Sequence, residues 1–130
     1  MKSATNNFFS TQFTTRQPAL EQKIALPIRD GYEFTPVNSI LCCKAEGAYT
    51  KVVLSTQHTL LVSRTLGYIQ DWLPPEIFVR IHHSTIVNLN AVTHYSRSDG
   101  GYVVMYTGDK LLVSKARKDV LLEKLGLKKD

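Results

Sequence analysis

Three groups of side chains in this 130-residue chain have types and spacings that could do chemistry. They are the run His82-His83-Ser84, with His58 and His94 apart from it; the adjacent thiols Cys42 and Cys43; and the closely spaced cations Lys115, Arg117 and Lys118. Zinc binding needs thiols and imidazoles at ligand spacing, and neither a C-x-x-C pair nor H-E-x-x-H occurs. Ser84 beside His83 lacks the G-x-S-x-G turn that exposes a nucleophilic serine. No catalytic set, metal site or cofactor is therefore expected. Clustered Lys and Arg are instead suited to neutralising phosphates.

Composition agrees with a binding module. The chain carries 16 Lys and Arg against 11 Asp and Glu, for a formal charge of +5. Residues 40–130 hold twelve of those bases and eight of the acids, so most of the surplus sits in the patterned part of the chain. A modest positive excess favours a polyanionic partner without requiring one. Adjacent strand residues point to opposite faces, so a Cys42–Cys43 disulfide is disfavoured and a reducing compartment fits. No run reaches the roughly 18 apolar residues of a membrane span, and the polar N-terminus lacks a signal-peptide core. A cytoplasmic protein without membrane contact is the expectation.

The elements that must position these groups can be read from residue 23 onward. Residues 1–22, polar with Phe8, Phe9 and Phe13, read as an arm or linker; residues 23–126 read as the domain and 127–130 as a tail. Residues 23–28 and 32–37 read as a hairpin, with Asp30-Gly31 expected to supply the positive φ of a tight turn. Residues 40–45, 49–54 and 60–62 read as further strands. Ser63 is expected to cap a helix that buries Leu66, Ile69, Trp72 and Leu73 and stops at Pro74-Pro75. Residues 78–81, a short apolar stretch at Ile86-Val87, residues 91–95, 101–106 and 110–113 read as the remaining strands. Ser114 is expected to cap a closing helix to Leu125, with Val120, Leu121 and Leu125 buried and Gly126 as its stop. Connections this short dictate antiparallel pairing, so the fold class is mostly β with two short helices, a β-rich α+β domain.

In order and spacing, these segments resemble the LytTR family of DNA-binding domains. The resemblance rests on residues 40–50 (ILCCKAEGAYT), Ser63-Arg64-Thr65-Leu66, residues 78–84 (FVRIHHS), Val87-Asn88-Leu89 and Val113-Ser114-Lys115, and it covers about residues 23–125. It implies an elongated antiparallel β fold that reads DNA with loops at the sheet edges. It also implies a bacterial transcription regulator, binding direct repeats at promoters through successive major grooves of one face of the duplex. Many members follow a receiver domain served by a sensor kinase in a two-component phosphorelay. About 22 residues precede the resembling region here, too few for a receiver. A standalone regulator or a piece of a longer chain is thus implied; because two copies can fill a direct-repeat site side by side with little mutual contact, a monomer in solution and a dimer on DNA is the expectation.

By the same resemblance the first contact loop is residues 46–51. Lys51 is assigned to phosphate and Tyr49 or Thr50 to a hydrogen bond, with an interior strand aromatic as the equal alternative for Tyr49. The second is residues 80–88, with His82, His83 and Asn88. His83 stands where the family often has Arg, so one imidazole replaces a bidentate fork and base preference there should relax. The amide of Asn88 is read first as a cap for local backbone, with DNA contact as the alternative. The third is residues 114–118, where Lys115, Arg117 and Lys118 crowd a helix start suited to phosphate. Ala116 occupies a position that is often basic in the family. Charging of His82 or His83 is expected to raise DNA affinity as pH falls from 8 to 6. The rival reading is a non-catalytic β-domain that binds protein or ligand through an exposed edge and the Phe-bearing arm.

Overall fold

The computed structural model describes residues 22–127. The arm with Phe8, Phe9 and Phe13, and the tail from residue 128, lie outside the described residues. The elements run β1 (Lys23–Ile28), β2 (Gly31–Pro36), β3 (Ile40–Glu46), β4 (Tyr49–Leu54), β5 (Thr59–Val62), α1 (Leu66–Trp72), β6 (Phe78–His82), β7 (Thr85–Asn88), β8 (Val92–Ser96), β9 (Tyr102–Met105), β10 (Lys110–Leu112) and α2 (Lys118–Lys124). Every strand pair is antiparallel. The sheets are the β1-β2 hairpin, a five-stranded sheet in the order β5-β4-β3-β7-β6, and a three-stranded sheet in the order β10-β9-β8. Among the described residues no helix is long and apolar enough to cross a membrane.

The five-stranded sheet is covered on both faces, which explains the unbroken buried run Ile40 to Cys43 in its central strand. On one face Cys43, Val52 and Ile86 pack against Leu26 and Val37 of the hairpin region and against Leu66, Ile69 and Leu73 around α1. On the other face Cys42, Val79, Ile81 and Val87 pack against Val103, Met105 and Leu111 of the smaller sheet and Leu121 of α2. The two thiols thus point into opposite cores, both buried and both free. Burial pushes the Cys42 and Cys43 thiols up in pKa, Cys43 most strongly, because a thiolate would be stripped of water there.

Several local expectations give way to packing. The first hairpin turns on Arg29 and Asp30, with Ile28 opposite Gly31, and Gly31 is not among the residues with positive φ. Thr65, not Ser63, caps α1, its hydroxyl accepting from the Tyr68 amide at 3.4 Å; the Ser63 hydroxyl instead donates to the Pro27 carbonyl at 3.3 Å. Leu66, Ile69 and Leu73 fall on one stripe, whereas Trp72 sits about 100° off it and is 55% exposed, stacked beside Tyr68. Leu73 is extended, as a residue before proline must be, and the helix ends there. Val120 likewise turns about 100° away from the buried Leu121 and is exposed.

A 3-10 turn, Lys115–Arg117, precedes α2, and the Ser114 side chain caps nothing. The closing helix is seven residues long, so the helix-dipole part of the expected phosphate site is weak. Gly126, at φ +75°, does end it: the Leu127 amide donates to the Leu122 carbonyl and the Gly126 amide to Glu123, a Schellman closure.

Candidate nucleic-acid interface

The geometry of the candidate site follows from which strand ends coincide. Glu46 pairs with Tyr49 across the β3-β4 hairpin, leaving Gly47 and Ala48 at its tip, with Gly47 at φ +61°. This is the first central position of a two-residue turn, where glycine is the residue that tolerates a left-handed backbone. His82 pairs with Thr85, leaving His83 and Ser84 at the β6-β7 tip. Since Thr85 lies opposite Lys44 on β3, both tips stand at the same end of the sheet. The Ala45 amide donates to the Ser84 carbonyl at 2.8 Å and joins them directly. The third segment is tied to the same end, because the Ser114 amide donates to the Ile81 carbonyl at 2.8 Å. The three segments therefore form one continuous rim.

Side chains on this rim divide into presented and committed ones. Tyr49 is 48% exposed at the first tip, which removes the interior-aromatic alternative. Lys51 lies 3.6 Å from Glu46 in an ion pair that is half open to water, and it faces Lys44 across the strand pair. His83 is exposed, with its ring 4.3 Å from the His82 ring. Lys115 is exposed and Arg117 half-buried. Lys118 is half-buried, its chain lying against Gly101 where a Cβ would come within 3.3 Å of it.

Two expected contacts are corrected. Thr50 is fully buried, and its hydroxyl donates to the Arg64 carbonyl at 2.8 Å, so it braces the first loop from inside. Asn88 is 2% exposed, donates through Nδ2 to the Ile40 carbonyl at 2.9 Å, and accepts through Oδ1 from the Asn90 amide at 2.8 Å. It also pairs with Phe78 at the end of β7 away from the tip, about 10 Å from Thr85 at strand spacing. Both are struts: the Asn90 contact is the local cap expected for Asn88, and the bond to Ile40 is long-range. His82 is partly committed as well: its Nδ1 accepts from the Ser84 amide at 3.2 Å and lies 2.8 Å from the Ser84 hydroxyl.

Sequence reasoning gave no role to two arginines at this rim, Arg64 and Arg80, although Arg80 opens the second loop. Arg64 follows β5, its guanidinium donating to the Ser63 carbonyl at 2.7 Å and lying 5.3 Å over the Tyr68 ring. Arg80 directs its guanidinium into the β6-β7 turn. Burial and the nearby charge of Arg117 lower the Arg80 pKa, a sign of two cations brought together on one rim. Both stood in quoted motif segments, but nothing local in sequence distinguishes an arginine turned outward from one turned onto backbone carbonyls.

Against known proteins, a sequence model of the LytTr DNA-binding domain matches residues 30–126. The CO-responsive transcriptional regulator RcoM of Rhodospirillum rubrum is 31% identical over 104 residues, which are 79% of this chain and 44% of that protein. The chain thus spans less than half the length of this relative. Among solved structures, the LytTr DNA-binding domain of a Bacillus cereus protein named as a methyl-accepting/DNA response regulator superposes with a TM-score of 0.71 at 23% identity, covering 82% of this chain and 98% of that one.

Proposed function

The chain belongs to the LytTR DNA-binding domain family, and from that premise we propose that it regulates transcription by gripping one side of a duplex with the rim formed by the β3-β4 tip, the β6-β7 tip and residues 114–118. DNA binding and a part in transcription regulation come with the family and its relatives. The finer reading is supported by one observation. The Ala45–Ser84 and Ser114–Ile81 hydrogen bonds tie three cation- and imidazole-bearing segments into a single edge. Such an edge can follow successive grooves on one face of DNA, with no helix entering the groove.

In this reading Lys51, Lys115, Arg117 and Arg64 neutralise phosphates, while Tyr49 and His83 reach base edges. A single imidazole discriminates less than an arginine fork, so base preference opposite His83 is weak. The site is a pair of direct repeats filled by two copies side by side, and the domain serves in the cytoplasm as the output unit of a response regulator or of a standalone regulator.

The test is selection of bound sequences from a random duplex pool, followed by footprinting. Two repeats about one helical turn (roughly 10 bp) apart, protected on one face, are expected. Protection running around the whole duplex, or no duplex retained at low salt, overturns the reading.

A further inference from the structure

Arg80 is placed to contact DNA and yet faces the protein. It stands on β6, the edge strand of the large sheet. The β6-β7 register shifts between Arg80 and His82, an irregularity just before the two-residue tip. Nε of Arg80 donates to the His82 carbonyl at 3.2 Å, and one terminal nitrogen donates to the His83 carbonyl at the tip itself. The other terminal nitrogen donates to Oε1 of Gln70, on α1, at 2.9 Å. All three guanidinium nitrogens are thus engaged within the protein, and the planar fork spans two successive carbonyls as a lysine ammonium cannot.

From this geometry we infer that Arg80 is a positioning residue, anchored by Gln70, whose grip on the His82 and His83 carbonyls fixes how His83 is presented to base edges. The inference rests on the DNA-reading rim proposed above. Of the other contacts at the turn, the Ala45 amide holds the Ser84 carbonyl, and the His82 ring holds Ser84 and lies 4.3 Å from the His83 ring, whereas Arg80 grips the His83 carbonyl itself. A consequence follows for specificity: base preference at one step of the operator depends on Gln70, a residue on a helix outside all three contact segments.

The test uses the full chain with Arg80→Gln, Arg80→Lys and Gln70→Ala, each alone and combined with His83→Ala. Amide exchange in the free protein reads the clamp without DNA. Residues 82–85 should exchange about tenfold faster in Arg80→Gln while the strands of the core keep their protection. On the selected duplex, Arg80→Gln and Arg80→Lys should flatten discrimination at the single base step lost in His83→Ala, by about tenfold or less. The slope of log K against log salt should stay unchanged, and neither variant should have further effect once His83 is alanine. Gln70→Ala should show the same pattern more weakly, and it carries the test if Arg80→Gln does not fold.

An arginine that instead binds a phosphate would lose affinity for all sequences and flatten the salt slope by about one unit, which overturns the inference. Additive effects of Arg80→Gln and His83→Ala overturn it too. If the wild-type chain selects no sequence, the DNA-reading rim fails first. Unchanged exchange at residues 82–85 would then separately remove the clamp.

Discussion

Asn88→Ala should unfold this domain more readily without weakening its hold on DNA. The side chain is 2% exposed and makes two hydrogen bonds to backbone, one of them across 48 residues to the Ile40 carbonyl. Truncation removes both. The Asn90 amide is on an exposed residue and can turn to water, so its loss costs about 1 kcal/mol. Ile40 is fully buried, and its carbonyl loses that donor, which costs about 2 kcal/mol more. A total near 3 kcal/mol lowers the melting temperature of a domain this size by about 15 °C. Asn88→Asp keeps the acceptor for Asn90 but turns a carboxylate oxygen toward the Ile40 carbonyl, and should be at least as damaging at neutral pH. Thermal and urea unfolding measure the loss. Fluorescence anisotropy at a temperature where the variant is folded should find affinity within about threefold of wild type, well under 1 kcal/mol. A variant that melts as wild type does but binds more than about tenfold weaker would refute the strut and return Asn88 to the contact surface.

Lys115→Ala and Arg117→Ala should each flatten the salt slope of DNA binding by up to about one unit, read by anisotropy titrations across salt concentrations. An unchanged slope in both removes the third segment from the rim. Cys42 and Cys43 hold their protons in the folded state above the pH at which an unfolded thiol ionises. The unfolded chain thus binds fewer protons at alkaline pH, and their contribution, full below about pH 8.5, should fall as pH rises beyond it by at most about 1.4 kcal/mol per unit per thiol. Urea unfolding from pH 7.5 to 10 checks this, and Cys43→Ala should shallow the decline; an identical decline in the variant rules the thiol out.

Much of the architecture was legible in the chain because its signals are local. The β-branched runs, the Pro74-Pro75 stop and Gly126 each act on backbone within a few residues, and short connections leave antiparallel pairing as the available geometry. The uninterrupted apolar stretch from Ile40 to Cys43 carries the further message that its strand is covered on both faces. The three segments that meet along the rim were marked out beforehand only by their resemblance to a family, through motif order. The short helices were less legible, since a stripe of three buried positions leaves Trp72 and Val120 free to face water.

The sequence by itself determined the succession of strands along the chain, the pairing sense and the loops that bear cations and imidazoles; the order of the strands within the sheets came from tertiary packing. Tertiary structure alone decided which polar side chains on those loops remain free to meet a ligand. Thr50 finds its acceptor 14 residues away and Asn88 finds one 48 residues away. Arg80 is held through Gln70 on another element. A hydrogen-bonding group is withdrawn from function when a partner from elsewhere in the chain lies within about 3 Å and water is excluded. That condition depends on how distant segments meet, and no local pattern encodes it.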